Sequence, residues 1–281
     1  MESKEIFNAV LTLVARQPWI GSKASELSHM LFEECKCARS REMLIQIISN
    51  FFYLSTVDYN EKLTALAREI ISEADYINNT QIVAMAANSG SDSSHEILYN
   101  LKFRFTADGC HDFVSVSNFG AAYRTYTKTG RKRLIIVDDF VGSGQTVISR
   151  HNELVRVFNQ GKVEGFSIAF KVLVSTEHGL NAVRAAGINI TAQYEIKKAI
   201  DDYFPQELAE EYRNLMTGLE AGLSQEYEGI KMPSLGYNGA QAAYCREHAN
   251  TPNSVFPVFW WPINNNLEKR ATVLHRAMGD A

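Results

Sequence analysis

The chain has 281 residues, of which 46% are hydrophobic and 21% charged, and a net charge of −4. That length supports a sizeable core in one large domain or in a domain with an annex. The acidic balance excludes a bulk cationic surface for nucleic acid, and no apolar run approaches the ~18 residues of a membrane-spanning helix.

The first 78 residues read as an all-helical annex. Ile6, Val10, Leu13 and Val14 form one apolar stripe at helical spacing, ended by Pro18. Ser22 or Ser25 can cap a second helix carrying Leu27, Met30 and Leu31, and Cys35 and Cys37 are expected on a helix, facing different ways. Ser40 can cap a third with Met43, Leu44, Ile47 and Ile48, and Asp58 or Asn60 opens a fourth with Leu63, Leu66, Ala67, Ile70 and Ile71. A helix-turn-helix reader would place Arg41 to Phe52 against DNA, and that segment is too apolar to face phosphates. A packing or partner-binding annex is the better expectation.

From residue 79 to 200, strands alternate with helices, the pattern of a parallel α/β sheet. Gln81–Ala86 is a short strand, Asn88–Ser94 a loop of small polar residues, and His95–Lys102 a helix. Asp112–Tyr126 reads as strand, loop and second strand around Gly120, and Leu134–Val137 as a buried strand. A helix with Val147, His151, Leu154, Val155 and Phe158 follows, closed by Gly161. Phe166–Val174 is a strand, Glu177–Ala186 a helix closed by Gly187, and Ile188–Tyr194 a strand. In residues 201–281, Pro205 opens a helix with the stripe Leu208, Tyr212, Leu215, Leu219 and Leu223. A Gly/Pro/Asn-rich, aromatic segment from Gly229 to Pro262 then forms a hood, and a short helix over Leu267–Met278 closes the chain. Internal repeats and low-complexity tracts are absent from the sequence.

The chemistry concentrates in the run from Leu134 to Thr146. Asp138 and Asp139 stand where the strand Leu134–Val137 is expected to end, the edge at which parallel sheets bind ligands. Paired carboxylates there can accept hydrogen bonds from two vicinal hydroxyls, and unpaired burial would cost several kcal/mol, so a ligand or metal role outweighs a simple helix cap. Gly142-Ser143-Gly144 lets backbone N–H groups approach a phosphate, the next helix N-terminus adds partial positive charge, and Gln145 and Thr146 complete the turn. The pattern fits a phosphorylated sugar.

In length and order, this run resembles the signature of the type I phosphoribosyltransferases: four apolar residues, an acidic pair, two apolar residues, then a small-residue loop ending in Ser or Thr. The resemblance implies a parallel sheet flanked by helices. It also implies that Asp138 and Asp139 hold the ribose hydroxyls of phosphoribosyl pyrophosphate, with Mg²⁺ as cofactor, and that Gly142, Ser143, Gly144, Gln145 and Thr146 hold the 5′-phosphate. Ser89, Gly90 and Ser91 are the candidate pyrophosphate loop by position. Leu235–Gln241, His248–Asn253 and Phe256–Trp261 resemble the tail of phosphoribosyltransferase-like proteins of bacterial conflict systems, some of which accompany retron reverse transcriptases in antiphage defence. That likeness implies a reverse transcriptase with its DNA–RNA product, or another defence protein, as partner.

Three departures shape the expectation. Where the 6-oxopurine enzymes carry an aspartate as general base, this chain has Gly142, which cannot transfer a proton. The loop Asn88–Ser94 carries no cation and one carboxylate, Asp92, so pyrophosphate charge needs Mg²⁺ or side chains such as Lys102, Arg124 or Lys128. Phe140 is bulkier than the usual aliphatic residue. Binding of phosphoribosyl pyrophosphate or a 5′-phosphoribosyl nucleotide is therefore the main expectation; a non-catalytic nucleotide sensor is the alternative and nucleobase salvage the weaker one.

Other residues weigh differently. His151 is expected as a satisfied core histidine, and His248, among Asn250 and Asn253 in an irregular loop, is more open to a role. Trp260 and Trp261 are candidates for stacking on a base, against an aromatic plug as the plainer alternative. Arg131-Lys132-Arg133 reads as a solvated turn, with phosphate contact as its alternative. The four cysteines, Cys35, Cys37, Cys110 and Cys245, lack metal-ligand spacing and are expected as reduced thiols. Met1-Glu2-Ser3-Lys4-Glu5 does not read as a signal peptide. The cytoplasm is the expected compartment, with no membrane partner and self-association as a further expectation.

Overall fold

A computed structural model describes residues 3–73, 78–86 and 93–278. The chain forms two compact units: a terminal unit of Met1–Ser55 with Lys197–Ala281, and a sheet unit of Thr56–Ile196.

The terminal unit begins with α1 (Ser3–Arg16), whose Leu13 is buried. Pro18 opens a 3-10 turn, and α2 (Ala24–Ser28) runs into a π-helical turn over His29–Glu34. Neither Ser22 nor Ser25 caps α2; its N-cap is Lys23, with no side-chain cap bond. Cys35 and Cys37 lie in an extended connector at φ −82° and −91° rather than on a helix. All four cysteines are free thiols. In α3 (Ala38–Ser49), Cys37 takes the N-cap, Ser40 is buried in the first turn, and Met43, Leu44, Ile47 and Ile48 bury the expected face. β1 (Phe52–Leu54) follows.

The sheet unit starts at α4 (Thr56–Ser72), with Asp58 in its first turn. Then come β2 (Thr80–Ala84), α5 (Ser93–Ala107), β3 (Val114–Val116), α6 (Phe119–Thr129), β4 (Arg133–Val141) and α7 (Gln145–Gln160). β5 (Ser167–Thr176), α8 (Glu177–Ala185) and β6 (Asn189–Ile196) complete it. The five strands are all parallel, in the order β3-β2-β4-β5-β6. Parallel sheets bury both faces, which is why β4 and β5 read as apolar runs. One face packs on Phe119 and Ala122 of α6, Val147, Leu154 and Phe158 of α7, and Leu180 and Val183 of α8. On the other, α4 and α5 contribute Leu66, Ile70, Leu101 and Phe105, all buried. His151 is half-buried, its ring 6.4 Å from that of Phe170.

The expected second strand before Tyr126 is instead the helix α6. The Asn118 side chain accepts the Ala121 N–H at 3.0 Å, and Gly130 closes the helix at φ 72°. The spacing of Phe119, Ala122, Tyr123 and Tyr126 is helical, and it prevails over the β-propensity of the aromatics.

One polar cluster crosses the sheet face under α4. Lys171, mid-β5 and buried, places Nζ 2.5 Å from Glu69 Oε1 and 2.5 Å from Glu73 Oε1. Glu69 also accepts from Thr191 Oγ1 at 2.9 Å and Gln193 Nε2 at 2.6 Å, and Arg133 pairs with Glu73. This strap and the apolar face of α4 tie that helix to the sheet, and the compact unit that holds the sheet begins at Thr56.

The chain returns to the terminal unit through α9 (Gln206–Glu220), with Pro205 at the N-cap. Its buried face runs Ala209, Tyr212, Met216 and Glu220, one residue around from the leucine stripe. β7 (Glu226–Tyr227) and β8 (Ile230–Lys231) pair antiparallel, and β9 (Tyr244–Arg246) pairs parallel with β1. Chain ends meet here: Arg270 donates to Glu34 at 2.9 and 2.6 Å, to Trp261 O at 2.7 Å and to Val258 O at 3.0 Å. The expected helix over Leu267–Met278 does not form, because this backbone pairs with the preceding segment, as in Leu274 N to Phe259 O at 2.9 Å. Among the described residues, no helix is long and apolar enough to cross a membrane.

Candidate functional site

The candidate site grows from β4. Leu134, Ile135, Ile136 and Val137 are fully buried between β2 and β5. β2 stops there: its last registered pair is Ala84 with Val137, and Met85 N–H donates to Val137 O at 3.1 Å. β5 continues alongside, pairing Asp138 with Val172, Phe140 with Val174 and Val141 with Ser175. The strand therefore runs through Val141 instead of ending at Val137, and the acidic pair stands beyond the end of one neighbour strand. That is the step at which open α/β sheets take ligands.

Asp138 is buried at 7% exposure and Asp139 half-buried. The Asp139 N–H donates to Asp138 Oδ1 at 2.9 Å, and Ser93 Oγ, in the first turn of α5, donates to Asp139 Oδ1 at 2.6 Å. These bonds fix the orientation of both carboxylates and bring a helix N-terminus to the second one.

After Val141 the chain turns at Gly142-Ser143-Gly144 into α7. Gly144 is the helix N-cap at φ 77°, in the left-handed region, and α7 has no side-chain cap. The first amides of α7 have no carbonyl of their own helix to donate to, so an anion can supply their acceptor. Ser143 and Gly144 are buried, while Gln145 and Thr146 are exposed at the rim.

The turn rests on the β5–α8 junction, a contact that sequence reading missed. Ser175 Oγ donates to Val141 O at 3.1 Å, and Thr176 Oγ1 donates to Gly142 O at 2.5 Å while accepting the Gly179 N–H at 2.8 Å. A Cβ on Gly144 would meet Gly179 O at 2.7 Å, and one on Gly179 would overlap Gly142 O. The available signal was the run Ser175-Thr176 followed by Gly179, a hydroxyl N-cap with a glycine three residues on.

Other candidate residues fall elsewhere. Ser89, Gly90 and Ser91 lie outside the described residues. The basic run sits at the opposite end of β4, where Arg131 donates to Thr80 O and Asp112 O, Lys132 to Glu164 O, and Arg133 to Glu73. Asp139 lies six residues along the strand from Arg133, about 20 Å at the usual rise. Lys102, Arg124 and Lys128 are exposed on α5 and α6. Trp260 and Trp261 belong to the terminal unit, packed edge to face at 5.4 Å with both rings buried, and Trp260 Nε1 donates to Val255 O. His248 is exposed in the turn after β9. Leu235–Gln241 is a packed turn: Gln241 Nε2 donates to Asp201 Oδ2 and its Oε1 accepts the Asp201 N–H.

Solved structures of low similarity include a xanthine-guanine-hypoxanthine phosphoribosyltransferase from Helicobacter pylori (12% identity, 52% of this chain and 84% of that one, TM-score 0.31). Others are an orotate phosphoribosyltransferase from Aeropyrum pernix (14%, 52% and 76%, TM-score 0.33) and a hypothetical protein from Neisseria gonorrhoeae with bound ppGpp (12%, 60% and 98%, TM-score 0.34). No curated protein matches the chain. The PRTase-CE family model matches residues 36–271, spanning the sheet, the acidic pair, the turn and most of the terminal unit. The chain belongs to the PRTase-CE family, of phosphoribosyltransferase type.

Proposed function

We propose that the sheet unit binds a 5-phosphoribosyl compound, phosphoribosyl pyrophosphate or a 5′-phosphoribosyl nucleotide, with Asp138 and Asp139 on the ribose hydroxyls and the Gly142–Thr146 turn on the 5′-phosphate. The observation that carries this reading is the oriented acidic pair, beyond the end of β2, in the same strand that leads into an uncapped helix N-terminus. Hydrogen bonds to a charged group contribute about 1.5–3 kcal/mol each, so losing both carboxylates weakens binding at least a hundredfold.

Mg²⁺ fits the donor set. Two neighbouring carboxylates supply hard oxygens, and this ion binds through one or two carboxylates plus ligand phosphates. Among the described residues no group of three or more His, Cys, Asp or Glu could form an all-protein cage. When bound, the ion neutralises leaving-group charge. Chemistry at ribose C1 passes through an oxocarbenium-like state, and Gly142 supplies no proton-transfer group at the 6-oxopurine base position.

That glycine favours a second reading, a nucleotide-sensing subunit that binds without turnover. The setting we favour is bacterial antiphage defence, beside a reverse transcriptase with its DNA–RNA product or another defence protein. Its support is the likeness of Leu235–Gln241, His248–Asn253 and Phe256–Trp261 to such proteins.

Calorimetric titration with phosphoribosyl pyrophosphate and Mg²⁺ tests the site. Wild type binds, and Asp138→Asn with Asp139→Asn does not; equal affinity removes the proposal. Pyrophosphate release in the presence of nucleobases marks an enzyme, and binding without release marks a sensor.

A further inference from the structure

The hydroxyls of Ser175 and Thr176 bond to two successive carbonyls of the turn that leads into α7. A trans peptide points its C=O and N–H in opposite directions. Drawing Val141 O to Ser175 Oγ, and Gly142 O to Thr176 Oγ1, therefore turns the N–H groups of Gly142 and Ser143 away from α8. Thr176 is the stronger hold. Its oxygen accepts the Gly179 N–H at 2.8 Å and its single proton goes to Gly142 O, whereas the one proton of Ser175 is shared between Val141 O and Thr176 O, both at 3.1 Å. Thr176 and Ser175 are both fully buried, which shields their hydroxyls from water. Gly179 and Gly144 allow the backbones this close, since a Cβ on either would collide with the other segment.

We propose that Thr176 is a positioning residue for anion recognition. Its hydroxyl pre-sets the Gly142–Ser143 peptide so that the turn presents amides, not carbonyls, to a phosphate monoester. The role extends the phosphoribosyl reading above and rests on it for the ligand. A carbonyl facing the same position would repel the anion, so the hydroxyl acts on preference for phosphate rather than on affinity for the sugar.

Three variants separate this role from that of a helix cap. Thr176→Val removes the hydroxyl, and Thr176→Ser restores it. Thr176→Asp keeps an acceptor for the Gly179 N–H, and so the cap of α8, but has no proton for Gly142 O. The first readout is the affinity ratio between a nucleoside 5′-monophosphate and the same nucleoside. Thr176→Val lowers that ratio at least tenfold, mainly through the monophosphate, and Thr176→Ser returns it to the wild-type value. An unchanged ratio in Thr176→Val overturns the proposal. The second readout is the orientation of the Gly142–Ser143 peptide in ligand-free crystal structures of the variants. It turns over in Thr176→Val and Thr176→Asp and stays as in wild type in Thr176→Ser; an unaltered peptide in Thr176→Asp also overturns the proposal. If wild type binds no monophosphate while the peptide behaves as stated, the phosphoribosyl reading fails and the hydroxyl's hold on the turn is still established.

Discussion

Replacing Glu220 with glutamine stabilises the terminal unit in alkaline solution and leaves it nearly unchanged in acid. Glu220, the last residue of α9, is 1% exposed. Its Oε2 accepts from Ser234 Oγ at 2.6 Å, and its two oxygens share the Leu235 N–H at 3.1 and 3.0 Å. None of these partners is a cation, and the helix C-terminus adds partial negative charge. Burial pushes the carboxyl up from 4.5 to about 7, against the opposing pull of the Ser234 and Leu235 hydrogen bonds. The sign follows from proton binding. Below 4.5 the group is protonated in both states and carries no penalty. Between 4.5 and about 7 only the unfolded chain ionises, so stability falls as pH rises. Above that range the folded state carries the whole penalty, about 3 kcal/mol at ~1.4 kcal/mol per pH unit. Trp19, Trp260 and Trp261 all belong to this unit, so tryptophan fluorescence during urea denaturation reads its unfolding. Glu220→Gln gains about 3 kcal/mol near pH 8.5 and well under ~1 kcal/mol near pH 4.5. An equal gain at both pH values, or a loss near pH 8.5, refutes the reasoning.

Two further substitutions probe the sheet unit. Alanine for glycine inside a helix ordinarily adds about 1 kcal/mol, but Gly179→Ala drives a methyl into Gly142 O, and overpacking costs about 1–3 kcal/mol. The melting temperature by circular dichroism therefore falls and phosphate binding weakens; a rise would mean that the turn yields freely. Lys171→Met leaves Glu69 and Glu73 without their shared buried cation and destabilises the unit by about 3 kcal/mol in urea denaturation. Adding Glu69→Gln and Glu73→Gln recovers most of the loss, and failure to recover would show that Lys171 acts through packing alone.

What could be read from the sequence was whatever its own neighbours decide. The Leu134–Val137 run, the α7 stripe and the small-residue turn obey local periodicity or local backbone need, and each forms where expected, save that the strand continues to Val141. The α9 face shows where that logic stops. The leucines at 208, 215 and 219 mark a stripe, but the packed face is turned toward Ala209, Tyr212, Met216 and Glu220. A hydrophobic count assigns a glutamate to solvent, so it cannot find a carboxyl that is buried to hold the Ser234–Leu235 turn. Nor can it find β1 pairing with β9, whose partners Phe52 and Tyr244 are brought together only by the fold. The candidate site divides the same way. Asp138, Asp139 and the turn are legible because they stand together as one motif in the sequence. The direction in which the turn presents its amides is set by Thr176, 34 residues beyond Gly142. A motif thus states which groups are available to a phosphate, and a contact remote in sequence decides whether they face it.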